Sequence, residues 1–123
     1  MRVYFDNAAT TPIDREVVDA MLPLMTEHFG NPSSIHSWGR QTRSMIEQSR
    51  KAVAKLLNCS PSEIFFTSGG TEADNMAIRC TIEGMEIKHA ITSPIEHHAV
   101  LHTLETMADK GQVKLNFVAL TAD

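Results

Sequence analysis

The sequence has 123 residues, of which 42% are hydrophobic and 21% charged, and its net charge at pH 7 is -4. A chain of this length accommodates one domain with a hydrophobic core, and the composition argues against intrinsic disorder. The acidic balance gives no basic face for nucleic acid or for an anionic membrane, and no apolar run approaches the roughly 20 residues that span a bilayer.

The N-terminal part of the sequence predicts a helical arm. Residues 1–6 form a short extended run, and a small, polar loop follows it. Asp14 can cap a helix in which apolar residues recur every three or four positions as far as Phe29. Pro23 is expected to kink this helix, and Gly30 is expected to end it.

A second, longer helix is predicted at residues 40–57, with Asn58 at its end. Its apolar side chains form a single stripe, as in a helix that is buried on one side. The stripe consists of Met45, Ile46, Val53, Leu56 and Leu57.

The rest of the sequence alternates strands with helices. The pattern predicts strands at 64–67, 89–93 and 113–120, and helices at 71–83 and 96–110. Such alternation is typical of parallel βαβ units, so we predict an α/β fold with a mainly parallel sheet and flanking helices. We therefore assign residues 1–58 to the N-terminal arm and its helices, and residues 59–123 to the first part of an α/β domain. Large apolar surfaces of so small a sheet are expected to stay bare.

The strand–glycine–helix stretch at residues 65–75 is the most informative local feature. Gly69 and Gly70 turn the chain between an extended run and a helix that starts at Thr71. The N–H groups at the start of a helix bind anions, above all phosphate, and Thr71 would add a hydroxyl donor. The alternative is an ordinary turn that is capped by Ser68 or Thr71.

A histidine follows the neighbouring strand. Ligands of α/β sheets bind at the carboxyl ends of strands, which here carry residues 68–71 and 93–97. His97 can project over a ligand at the glycine loop, or it can cap its helix or face solvent. His98 and His102 lie four residues apart without a third ligand, so we predict no metal site.

The two cysteines give no sign of catalysis. Cys59 and Cys80 form neither a CxxC pair nor a metal-ligand spacing, and Cys80 is expected to be a small core residue. The first residues lack the apolar stretch of a signal peptide, so we expect a cytoplasmic protein with free thiols.

Four motifs, taken together and in order, resemble the N-terminal part of the cysteine desulfurases. These are the NifS/IscS-type enzymes of the class V aminotransferase superfamily, which have the fold type I architecture. The motifs are DNAATTP at 6–12, GNPSSIH at 30–36, FTSGGTEADN at 66–75 and SPIEHHAV at 93–100. The α/β segment would accordingly be part of the large domain that binds pyridoxal 5′-phosphate.

The resemblance implies a homodimer that takes sulfur from L-cysteine, leaves L-alanine and holds the sulfur as a persulfide for an iron–sulfur scaffold or another acceptor. It implies that the backbone of Gly70, together with the backbone and hydroxyl of Thr71, holds the phosphate of pyridoxal 5′-phosphate. It also implies that His97 is catalytic, stacking on the cofactor ring and taking part in proton transfer. Residues 7–11 resemble the loop that approaches the substrate entrance.

Other parts of the family's machinery have no counterpart in these 123 residues. They are the lysine that binds the cofactor, the aspartate at its ring nitrogen, the substrate arginine and the persulfide cysteine. We expect them in a C-terminal segment, and we expect this chain alone to be inactive. Two alternatives stay open, namely another class V lyase such as selenocysteine lyase, and a non-catalytic interaction module that keeps the fold.

Overall fold

The computed structural model describes residues 1–121, which form two compact units. The first unit is Met1–Ile64 and the second begins at Phe65. The predicted division after residue 58 stays a prediction. Within residues 1–121 no helix combines the length and the apolar character that crossing a bilayer requires.

The first unit contains the two predicted helices. Helix α1, Arg15–Thr26, follows Asp14 and includes Pro23, and none of its residues is buried. The expected cap is wrong in one respect, since the side chain of Asp14 makes no hydrogen bond to the helix. The helix also ends before Phe29, whose ring instead stacks on Trp38 at a centroid distance of 5.6 Å.

Helix α2, Ser37–Leu57, begins three residues earlier than predicted. His36 supplies the reason, because its side chain accepts a hydrogen bond from the backbone N–H of Gly39 and caps the first turn. Asn58 ends the helix in the left-handed conformation, as expected from the tolerance of asparagine for that region. The guanidinium group of Arg50 then donates to the carbonyl of Ile64, which ties the end of the unit back to α2.

The second unit is a βαβ arrangement that is preceded by one further helix. Its elements, in chain order, are α3 (Gly70–Gly84), β1 (His89–Thr92), α4 (His98–Asp109) and β2 (Lys114–Phe117). Strands β1 and β2 are parallel, with His89 opposite Lys114 and Thr92 opposite Phe117. The predicted α/β class with a parallel sheet and flanking helices is confirmed.

Two predictions about the second unit are wrong. Residues 64–67 form no strand, because an extended segment becomes a strand only where a neighbour completes its hydrogen-bond ladder. Cys80 is exposed rather than buried, since α3 packs on α4 along one stripe and Ile82 is its only buried residue. The sequence pattern of α3 had suggested apolar residues around much of its circumference.

The core of the second unit lies between its two helices and the sheet. It is built on Ile82, Leu104, Met107 and Val113, and Met107 is fully buried. Many large apolar side chains of this unit are nevertheless more than 40% exposed, as expected from so small a sheet. They are Phe65, Phe66, Met85, Ile91, Ile95, Phe117, Val118 and Leu120.

Candidate functional site

The glycine loop leaves the start of α3 open to a ligand. The first backbone hydrogen bond into the helix runs from the N–H of Ala73 to the carbonyl of Gly69 at 3.1 Å. The N–H groups of Gly70, Thr71 and Glu72 therefore have no acceptor within the part of the chain that the structure describes. They point out of the positive end of the helix dipole, which is the arrangement that favours an anion.

The space around the loop also fits an anion. A methyl group added to Gly69 or Gly70 would meet no atom within 4 Å, so this end of the helix faces open volume. No side chain caps α3, which argues against the alternative that Ser68 or Thr71 closes an ordinary turn. Backbone donors, the Thr71 hydroxyl and this open volume together fit a phosphate group.

Glu72 closes the loop from the other side. Its Oε2 atom accepts hydrogen bonds from the backbone N–H of Ser68 at 2.6 Å and from the Ser68 hydroxyl at 2.7 Å. Both hydrogen bonds lower the pKa of Glu72 below its ordinary value of 4.5, and the bond from the Ser68 backbone has the larger effect. Ser68 thus donates to the carboxylate of Glu72, and the backbone donors left for a ligand are those of Gly70, Thr71 and Glu72.

The pH dependence of this contact can be tested. Because the pKa of Glu72 is lower in the folded chain, the contact contributes stability above the ordinary carboxyl pKa and loses it as the pH falls through the folded value. We expect the backbone amide resonance of Ser68 to shift on acidification with a midpoint below 4.5. Glu72→Gln should remove the transition while preserving the side-chain shape. A Ser68 midpoint at or above 4.5 would contradict the assignment.

His97 is the N-cap residue of α4. Its Nδ1 atom accepts a hydrogen bond from the backbone N–H of Ala99 at 3.1 Å, and its ring is exposed. An accepting Nδ1 carries no proton, so the neutral imidazole holds its hydrogen on Nε2. The predicted alternative, in which this histidine caps the helix, is confirmed, and the cap leaves Nε2 available for proton exchange.

Thr71 and His97 line one cleft of about 340 Å³ between the starts of α3 and α4. The two loops thus meet in the second unit, although α3 follows an extended segment and only α4 follows a strand of the sheet. Gly70 lies directly before Thr71 in the chain and is not one of the residues that line the cleft. The individual roles of these three residues stay predictions.

Asn75 is a polar residue of the cleft to which the sequence assigned no role. Its Nδ2 donates to the carbonyl of Thr71 at 2.9 Å, and its Oδ1 accepts from the Thr103 hydroxyl at 2.8 Å. The two partners lie on α3 and α4 respectively, 28 residues apart in the case of Thr103. The signal available in the sequence was only a polar residue inside each helix.

Within the described residues no group of three or more His, Cys, Asp or Glu side chains is placed to hold a metal ion. His98 and His102 have ring centroids 4.8 Å apart, without a third ligand. Cys59 is half-buried, and neither it nor Cys80 forms a disulfide.

The family model of the class V aminotransferases matches residues 3–123. The cysteine desulfurase IscS of Methanosarcina thermophila is 53% identical over 111 residues, which cover 89% of this chain and 28% of that protein. IscS of Dictyoglomus turgidum is also 53% identical, over 110 residues that cover 85% of this chain and 28% of the relative. The chain thus spans little more than a quarter of the length of these relatives.

Solved structures give the same match. A NifS-like protein superposes with a TM-score of 0.88 at 44% identity, over 98% of this chain and 33% of the other. SspA in complex with cysteine superposes with a TM-score of 0.86 at 36% identity, over 97% of this chain and 35% of the other. These relatives confirm the resemblance to the cysteine desulfurases and the fold type I architecture. Because the family model covers nearly its whole length, the chain belongs to the class V aminotransferase family.

Proposed function

We propose that the chain is the N-terminal part of a cysteine desulfurase that depends on pyridoxal 5′-phosphate. The observation that carries the proposal is the 53% identity to IscS over 111 residues, a stretch so long that it necessarily includes the glycine loop and His97. The aligned stretch therefore includes the two segments that meet in the cleft between α3 and α4. The reaction would convert L-cysteine to L-alanine and leave the sulfur on the enzyme as a persulfide.

The N-terminal turn of α3 would hold the phosphate of the cofactor. Three N–H groups without acceptors in the described chain, the Thr71 hydroxyl and the open volume before Gly70 support this assignment. The helix dipole adds a favourable field for a dianion at the same point. When bound, pyridoxal 5′-phosphate supplies an electron sink for carbanion chemistry at the substrate.

His97 would stack on the cofactor ring and transfer a proton. The bond from the Ala99 N–H to Nδ1 fixes the tautomer and limits rotation of the ring. Nε2 is then the atom that would donate or accept a proton. The chain itself would thus supply two groups that orient the reaction. The N-terminal turn of α3 would hold the phosphate, and the Ala99 N–H would hold the imidazole of His97.

The remainder of the catalytic machinery would come from a longer protein. The relatives are about three times as long as this chain, and the second unit exposes many large apolar side chains that a larger fold would cover. The missing lysine and persulfide cysteine would lie in that C-terminal segment. A homodimer, transfer of sulfur to an iron–sulfur scaffold or another acceptor, and a cytoplasmic location belong to the same proposal.

The decisive experiment is an assay on the full-length protein. We expect it to bind pyridoxal 5′-phosphate and to release alanine from L-cysteine in step with persulfide formation. Alanine release from selenocysteine but not from cysteine would instead indicate a selenocysteine lyase. A protein that binds no cofactor would be an interaction module, and the proposed function would be wrong.

Thr71→Ala tests the phosphate site in the full-length protein. Loss of a hydrogen bond to a charged group should weaken cofactor binding by about 1–3 kcal/mol, measured as the Kd of pyridoxal 5′-phosphate in equilibrium dialysis. Thr71→Ser keeps the hydroxyl and is the matched control, with an expected affinity near that of the wild type. The Thr71 hydroxyl makes no hydrogen bond to another described residue, so the alanine variant should fold normally. Unchanged affinity in that variant would mean that the phosphate binds elsewhere.

A further inference from the structure

We propose that Asn75 is a positioning residue that couples the phosphate-binding turn of α3 to the turn of α4 that carries His97. This inference rests on the proposed function and extends it to a residue that touches neither the phosphate nor the substrate. It concerns a single side-chain amide that spans the two helices.

The amide of Asn75 has partners on both helices. On α3, Nδ2 donates to the carbonyl of Thr71 at 2.9 Å. On α4, Nδ2 reaches the carbonyl of Ala99 at 3.5 Å, and Oδ1 accepts from the hydroxyl of Thr103 at 2.8 Å. Thr103 is only 4% exposed, and its Oγ1 also lies 2.7 Å from the carbonyl of Ala99. The single hydroxyl hydrogen is therefore shared between two acceptors.

The residues that Asn75 contacts are those next to the proposed ligand groups. Thr71 supplies the N–H and hydroxyl that would hold the phosphate, and Asn75 contacts its carbonyl. Ala99 supplies the N–H that fixes Nδ1 of His97, and its own carbonyl is the point where Asn75 and Thr103 converge. The donor and acceptor of a planar amide have fixed relative positions, so the side chain sets the spacing between the two helix starts.

Neighbouring side chains do not duplicate this link. Arg79 donates to Oδ1 of Asn75 at 3.4 Å, but it lies on α3 itself and makes no hydrogen bond to α4 in the described part of the chain. Gln112, which follows α4, donates a hydrogen bond to Glu83, but Glu83 lies at the opposite end of α3 from the cleft. Asn75 and Thr103 thus form the polar contact between α3 and α4 at the cleft in the described part of the chain.

Asn75→Ala in the full-length protein tests the coupling. We expect kcat/KM to fall by about 10- to 100-fold, since small misplacements of reacting groups have effects of this size. The Kd of pyridoxal 5′-phosphate should rise, and the Nδ1 resonance of His97 should move in 15N-histidine-labelled protein from which the cofactor has been removed. The His97→Asn variant identifies that resonance by its absence.

Two variants separate positioning from general stability. Ile82→Val removes one methyl group from the core and should lower the thermal stability about as much as Asn75→Ala does. It should nevertheless leave the His97 resonance and the cofactor Kd unchanged. Asn75→Asp keeps the side-chain shape and the acceptor for Thr103 but places a carboxylate against the carbonyls of Thr71 and Ala99. It should reproduce the effects of the alanine variant, and it provides the test if the alanine variant does not fold.

The outcomes are distinguishable from failure of the proposed function. The His97 resonance is measured without cofactor or substrate, so its shift in an Asn75 variant supports the coupling even in a protein that releases no alanine. Equal effects of the Asn75 variants and Ile82→Val on the resonance and the Kd would reduce Asn75 to a structural residue. An unmoved His97 resonance in both Asn75 variants would overturn the proposal.

Discussion

Replacement of His97 by asparagine is expected to lower turnover of L-cysteine by the full-length protein by about 10²- to 10⁴-fold, the usual contribution of a positioned acid–base group. Asparagine is also a strongly preferred N-cap residue, so the variant should still accept the N–H of Ala99 that His97 now accepts. The loss of activity would then come from the missing imidazole and not from a frayed helix. Steady-state release of alanine measures the effect.

Three comparisons make this result specific. His97→Ala removes the imidazole and the cap together, and should add a loss of about 0.5–2 kcal/mol in stability. His89→Asn is the matched control, because His89 is an exposed residue at the start of β1, outside the cleft. Its turnover should equal that of the wild type. If His97→Asn also turns over cysteine at the wild-type rate, His97 is only a helix cap and the proton is transferred by another group.

The sequence predicted the helices and the two parallel strands because each carries a local signal, although β2 ends at Phe117 and not at residue 120 as predicted. Apolar residues at helical spacing defined α2, and Gly69 and Gly70 marked the start of α3. The meeting of Thr71 and His97 in one cleft was expected from the edge of a sheet, but only His97 follows a strand, and the packing of α3 on α4 brings Thr71 beside it. The helices and strands thus depend on residues that are close in the sequence, whereas the cleft depends on how two helices pack.

What the sequence did not predict depends on which surfaces are covered. Residues 64–67 have the composition of a strand, but no partner strand lies beside them in the described chain, and Phe65 remains 69% exposed. The same reason accounts for Cys80, since helical periodicity identifies apolar positions and not the neighbours that bury them. The same apolar pattern would arise if residues 64–67 and this side of α3 were buried by other parts of a larger protein.

The polar contacts between side chains were also not predicted from the sequence. The bond between Asn75 and Thr103 joins residues 28 positions apart, and no local pattern predicts such a pair. The contact between Ser68 and Glu72 is local, however, and an acidic residue in the first helical turn four positions after a serine was a signal that could have been used. Both contacts shape the cleft, so the fine geometry of the site was harder to foresee than its location.

Gly39→Ala is expected to destabilise the protein by about 3 kcal/mol, the upper end of the range for overpacking a tightly packed site. Gly39 is buried at the start of α2, where a Cβ atom would lie 2.4 Å from the carbonyl oxygen of Ser34 and 2.6 Å from that of Asn31. Both are backbone atoms of one short turn, so they cannot move aside as a flexible side chain can. Relief of the clash requires α2 and the turn to separate.

Gly84→Ala is the control that isolates the steric cause. Gly84 is also helical, at the end of α3, but a Cβ atom there would meet nothing within 4 Å. Since alanine restricts the unfolded chain more than glycine does, this variant should be as stable as the wild type or more stable by up to about 1 kcal/mol. Thermal unfolding of the full-length variants measures both effects. Equal melting temperatures for Gly39→Ala and Gly84→Ala would mean that the turn at residues 31–34 yields to an added methyl group, and that glycine at 39 reflects something other than this close backbone approach.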